Sequence, residues 1–272
     1  MNLSLSVATP CLERSSGIEA ARDDASEPGA FIAREPWTPI RAGMESELGI
    51  RYGVGTAYDT IAALTLPEDV VRLFGEAHRR DGLEVSGTGV TLTYLASSLI
   101  NWLESETCWR VRRDGYREQG FLAARITARS ATRESTTARF VGLHMDSWDR
   151  APLEARKFCQ NRLCLNLGPG ARAFQFVALQ ADELRRRALQ IPADPAHPLD
   201  RDLLSRFLRK NPDLPVLRFR LGPGQAYIAP TENLIHDACT LDDLPDLTYV
   251  YRGIIQPKDG TPATWRPTER TP

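Results

Sequence analysis

The sequence predicts a mainly β protein, a barrel or sandwich of short strands buttressed by helices. Three observations carry this reading. Two stretches of helical period come early, over residues 66–82 and 91–104. A succession of short segments with strand-like alternation follows them. Glycine-proline turns, Gly168-Pro169-Gly170 and Gly222-Pro223-Gly224, punctuate those segments.

Each element has a local reason. Leu66-Pro67-Glu68-Asp69 opens the first helix, with proline in the first turn and acids at the N-terminus. Val70, Leu73, Phe74 and Ala77 fall on one face, and Gly82 stops the helix. Leu92, Leu95, Leu99 and Trp102 recur at helical spacing in the second. The period then shortens. Residues 108–112 alternate and 121–129 form a longer strand. After a polar loop over 130–137, the strand around Phe140-Val141-Gly142-Leu143-His144-Met145-Asp146 follows. Further strands are expected over 162–167, 173–179, 216–220, 225–229 and 247–255, with helical interludes over 181–190 and 200–210. Residues 1–35 lack periodicity and read as a flexible arm. Residues 36–255 read as a single domain, helical over 36–107 and β over 108–255, and 256–272 as a tail.

Composition excludes several function classes. Of 272 residues, 42% are hydrophobic and 25% charged, and the net charge of -1 leaves no basic excess for nucleic acid. Arg51-Tyr52-Gly53-Val54-Gly55 is not a dinucleotide fingerprint. The five cysteines, Cys11, Cys108, Cys159, Cys164 and Cys239, are odd in number and show no CxxC spacing, so free thiols in a reducing cytoplasm are expected. The N-terminus carries no basic, apolar leader, and no run is long enough to span a bilayer. A cytoplasmic protein with no membrane partner is therefore expected. The oligomeric state stays open, a homodimer included.

The chemistry centres on His144-Met145-Asp146. Residues i and i+2 of a strand share a face, so His144 and Asp146 project together. The chain has four histidines: His78, His144, His197 and His236. His78 sits at a helix end beside Arg79 and Arg80, and His197 lies among prolines. His236 follows the glycine turn and the strand Gln225-Ala226-Tyr227-Ile228-Ala229, so it has the setting of a third ligand. Two imidazoles and a carboxylate are the facial triad of mononuclear non-haem Fe(II) sites. The plainer alternatives are a His144–Asp146 hydrogen bond and a loop histidine beside Asp237.

His144-Met145-Asp146, the run Gly222–Pro230 leading to His236, and the strand residue Arg252 together resemble the Fe(II)/2-oxoglutarate-dependent oxygenases over residues 108–255. The resemblance implies a double-stranded β-helix (jelly-roll) core and a catalytic and metal-binding triad of His144, Asp146 and His236. It further implies Fe(II), 2-oxoglutarate as cosubstrate and O2. Hydroxylation of an unactivated C–H bond of a small molecule, an amino acid or natural-product intermediate, is the implied reaction. Arg252 would hold the far carboxylate of 2-oxoglutarate, with Thr248 on the same strand face donating a hydroxyl. Asn166, on the polar face of its strand, is a further cosubstrate candidate. Trp148, Arg125, Tyr52 and Tyr58 are candidates for the substrate pocket, although each also fits a packing or turn role. A cupin-like isomerase or binding protein is one alternative, though cupins usually present HxH rather than HxD. A triad iron oxidase that does not use 2-oxoglutarate is the other.

Overall fold

The computed structural model describes residues 3–6, 12–41, 43–44, 47–52, 55–81, 89–124, 129–134, 136–191, 203–244 and 246–258. In chain order the strands begin with β1 (Leu3–Ser6), β2 (Glu13–Ala20), β3 (Ser26–Pro39), β4 (Ile50–Tyr52) and β5 (Thr60–Thr65). Helices α1 (Glu68–Asp81) and α2 (Gly89–Glu106) follow, then β6 (Trp109–Ala124), β7 (Phe140–Gly142), β8 (Asn161–Asn166) and β9 (Arg172–Gln180). Helices α3 (Ala181–Ala188) and α4 (Leu203–Lys210) precede β10 (Leu217–Leu221), β11 (Gln225–Ala229), β12 (Leu234–Thr240) and β13 (Asp246–Pro257).

The strands make two sheets, ordered β4-β1-β5-β11-β8-β13-β6 and β12-β9-β10-β2-β3-β7. This is the mainly β, helix-buttressed jelly-roll arrangement that the strand pattern and the resemblance imply. Non-consecutive strands lie side by side in both sheets, so hairpins alone do not build it.

Side-chain alternation builds the layers. On β8, Leu163 and Leu165 join Phe74, Leu99, Leu103 and Tyr249 in the core between the seven-stranded sheet and helices α1 and α2. Cys164, one residue between them, points the other way, toward Phe174, Phe176, Phe219 and Tyr227 in the space between the sheets. A third core packs Val177, Leu179 and Ile235 of the six-stranded sheet under Leu184, Phe207 and Leu208 of α3 and α4. Phe74 is fully buried, a placement worth about 1.5–3 kcal/mol for such a side chain.

The N-terminal expectation is corrected. Residues 13–20 and 26–39 are not a mobile arm but β2 and β3, paired antiparallel and inserted between β10 and β7. Ile18, Phe31, Ile32 and Ala33 are buried. Their apolar content is low and broken by charges, which hides strands whose burial depends on distant partners. Residues 36–107 are likewise not all helical, since β4 and β5 pair into the seven-stranded sheet. Residues 109–124, expected as two strands, form one long strand along β13.

Candidate metal centre

The six-stranded sheet closes on itself at the histidines. His144, just past β7 at one end of that sheet, bridges antiparallel to His236 on β12 at the other. The two residues exchange both backbone hydrogen bonds, at 3.0 and 2.8 Å. Residues opposed across a bridge project to one side, and the ring centroids are 4.5 Å apart. Gly142 makes the approach. Its φ of +75° is left-handed, and a Cβ there would meet the Phe31 carbonyl oxygen at 2.3 Å. Asp146 is then held by two backbone bonds, its N–H donating to Thr231 O and its carbonyl accepting from Arg156 Nη1.

The hydrogen bonds fix the tautomers. His144 Nδ1 donates to Gly142 O at 2.7 Å, and His236 Nδ1 donates to Leu234 O at 3.1 Å. A carbonyl only accepts, so each Nδ1 carries the proton and each neutral ring keeps its lone pair on Nε2. Both Nε2 atoms are buried and make no hydrogen bond. They lie 3.6 Å and 3.8 Å from the two oxygens of Asp146. Buried acceptors left without donors carry a free-energy penalty. Their convergence on one carboxylate is what a divalent cation relieves. The three ligand atoms lie within 4.8 Å of one another, and the donor set fits Fe(II) with positions left open for other ligands.

Arg162 completes the electrostatics. Its Nη2 donates to Asp146 Oδ2 at 2.7 Å, and both side chains are nearly inaccessible. Burial raises the pKa of the Asp146 carboxyl, but Arg162 and the imidazoles outweigh it and hold the group well below the usual range. Burial, with His144 alongside, pushes His236 down to about 3. Burial also opposes protonation of His144, yet Asp146 raises its pKa overall. Asp237, the rival carboxylate, is outside the cluster, and burial pushes it up to about 6.

A cavity of about 320 Å³ opens beside the triad, lined by Asp146, His236, Arg162, Arg172, Tyr227 and Thr248 among others. Thr248 is buried within it. Trp148 is at the margin and 36% exposed, with Arg252 Cζ 3.8 Å above its ring and Arg162 Cζ 5.4 Å away. Asn166 is not on this lining. Its amide donates to Gly170 O and Leu221 O, tying the turn after β8 to the end of β10. Tyr58 packs edge-on against Phe158, and its carbonyl accepts from Asn233. The Tyr52 side chain and Arg125 lie outside the described residues.

Sequence reasoning missed Arg172. It lies at the start of β9, pairs with Asp246 at 3.1 Å, and keeps a buried Nε without a hydrogen-bond partner in the cavity wall. Arg162 shares the inward face of β8 with Cys164; the alternation was visible, its partner Asp146 was not.

No helix among the described residues is long and apolar enough to cross a membrane. No family model and no curated protein match the sequence. The chain is similar to solved structures of the Kdo hydroxylase KdoO, a non-heme Fe(II) alphaketoglutarate dependent dioxygenase. With the apo structure it shares 15% identity over 73% of this chain and 79% of that one, at a TM-score of 0.37. With the succinate and Fe(III) complex and with the cobalt(II) complex the figures are 14%, 71%, 79% and 0.33.

Proposed function

We propose that this chain is an Fe(II)/2-oxoglutarate-dependent oxygenase that hydroxylates an unactivated C–H bond of a small molecule. The observation that carries the reading is the pair of buried, unbonded Nε2 atoms of His144 and His236 facing the carboxylate of Asp146. Those three residues would hold the iron, which supplies O2 activation coupled to decarboxylation of the cosubstrate. The protein's part is orientation and exclusion of water. Gly142 O and Leu234 O hold the imidazoles in the ligating tautomer. Arg162 keeps Asp146 ionised and fixes the orientation of its carboxylate.

The far carboxylate of 2-oxoglutarate has two cationic candidates, and strand register supports one of them. Arg252 on β13 lies opposite Arg162 on β8, the residue that touches Asp146. It is therefore level with the metal ligands and stacks on Trp148 at the margin. Thr248 lies opposite Asn166, four residues further along β8, a displacement of about 13 Å at 3.3 Å per residue. Arg172 is displaced by the same four residues along β9 from Phe176, which faces His236. A dicarboxylate held at one end beside the triad would extend along the cavity toward Arg172 and Thr248, which line it. We assign the far carboxylate to that pair, and to Arg252 and Trp148 the substrate side of the opening.

Anaerobic Fe(II) and 2-oxoglutarate binding, followed by O2 uptake with succinate release, tests the function. Uncoupled 2-oxoglutarate turnover needs no knowledge of the substrate. Loss of iron binding in His144→Ala and His236→Ala is expected; iron affinity unchanged in both variants sinks the reading.

A further inference from the structure

A second cluster lies on the other side of the loop that carries Asp146. Asp149, three residues after that ligand, approaches Glu232 in the turn before β12 and Cys159 after a short 3-10 turn, Arg156–Phe158. One ligand atom from each lies within 4.8 Å of the others. Glu232 is only 2% exposed. Its Oε1 accepts the Asp149 backbone N–H at 2.9 Å, while its buried Oε2 has no hydrogen-bond partner. The Cys159 thiol is 8% exposed; it donates to the Ala155 carbonyl at a long 3.9 Å and also approaches the Glu232 carboxylate. Asp149 is exposed and gives the cluster a face to solvent.

We propose that Asp149, Cys159 and Glu232 form a second divalent-cation site, of the zinc class, that clamps the Asp146 loop to the turn preceding His236. A thiolate and two carboxylates are ordinary zinc ligands, and three protein donors leave a fourth position for water. Arg156, the nearby cation, directs its Nε to Ala151 O and its Nη1 to Asp146 O and makes no hydrogen bond to Glu232 Oε2. Without a cation, burial and the two neighbouring acids push the thiol up to about 12 and raise Glu232 as well. That is the charge repulsion a bound ion removes. Binding forms a metal–sulfur bond and releases the thiol proton to solvent; nothing is oxidised. The site differs in kind from the triad, which has no sulfur ligand, so the two can be read separately.

Cobalt(II) added to the metal-stripped full chain tests this, because thiolate ligation gives a near-ultraviolet charge-transfer band that imidazole and carboxylate ligation does not. Wild type is expected to take up two equivalents and develop the band. Cys159→Ser should lose the band and one equivalent, and His144→Ala with His236→Ala should keep the band. Asp149→Asn, at an exposed position with little risk to folding, should weaken the titration of the band by at least about tenfold. Absence of the band in wild type, its persistence in Cys159→Ser, or an unchanged titration in Asp149→Asn overturns the proposal. Should Cys159→Ser fail to fold, Asp149→Asn decides alone. None of these outcomes depends on whether the triad supports oxygenase activity.

Discussion

At the scale of single residues, Arg162 decides how the triad behaves before any metal arrives. Asp146 is 6% exposed and its carboxylate pairs with Arg162 at 2.7 Å. Truncating one partner of a buried pair leaves the other charge uncompensated, at a cost of about 3–5 kcal/mol. Arg162→Met should lower the metal-free stability by that amount in urea denaturation, and added Fe(II) should recover part of the loss by supplying a new counter-charge. An equal loss with and without metal would mean that Asp146 is not a ligand. Gly142 makes a second residue-scale case. Gly142→Ala sets a Cβ against Phe31 O in a left-handed conformation, which costs at least about 1–2 kcal/mol. Because Gly142 O also holds the His144 ring, weaker iron binding should accompany the lower Tm. The residues His144, Asp146 and His236 were legible from the sequence because their spacing and scarcity single them out. Arg162 was not, because its alternation places it on a face without saying what that face meets.

At the scale of elements, strand register carries the specificity argument. The alternation Thr248, Val250, Arg252 on β13 was readable in one dimension. The level of each residue relative to the triad was not, because it depends on pairing with β8, a stretch about ninety residues earlier in the chain. On the proposed reading the carboxylate anchor is Arg172 rather than Arg252; sequence shows Arg172 only as an arginine at the start of a strand. Charge-assisted hydrogen bonds contribute about 1.5–3 kcal/mol. Arg172→Gln should therefore raise the KM for 2-oxoglutarate roughly 10- to 100-fold in the uncoupled reaction. Arg252→Gln removes a stack on Trp148 worth about 0.5–1 kcal/mol at an exposed site. It should leave that KM within a few fold and alter coupling to substrate instead. The reverse ranking, from the same steady-state measurement, would return the anchor to Arg252. Helices α1 and α2 depend on no such register. Their buried stripe of Val70, Phe74, Ala77, Leu95, Leu99 and Trp102 repeats every three or four residues, and a local period survives whatever it packs against.

At the scale of the whole molecule, the candidate metal centre is a seam that the N-terminal strands hold shut. His144 follows β7, the last strand of the six-stranded sheet, and His236 lies on β12, the first. The position of β7 is set by β3, through their parallel pairing and the bond from Leu143 N–H to Phe31 O at 2.6 Å. In turn, β3 is carried by β2, and β2 by β10. Residues that read as a flexible arm in the sequence are thus the mechanical link between the two imidazoles. Nothing local could reveal this, since Ile18 and Phe31 acquire their burial from α4 and the histidine-bearing segment, all far along the chain. A chain lacking residues 1–39 would leave the β10 edge unpaired, strip β7 of its partner and expose the apolar face that Phe31 covers. It should lose cooperative thermal unfolding and stoichiometric iron binding together, even though the triad residues are all retained. Phe31→Ala is the milder form of the same experiment. Cutting a buried phenylalanine back to a methyl costs about 3–5 kcal/mol, and the metal should report it twice. Metal-free protein should melt earlier, and saturating Fe(II) at about a hundred times Kd should return about 2.7 kcal/mol by mass action. If the truncated chain still unfolds cooperatively and binds iron at wild-type affinity, the seam is held by β12 and its neighbours alone.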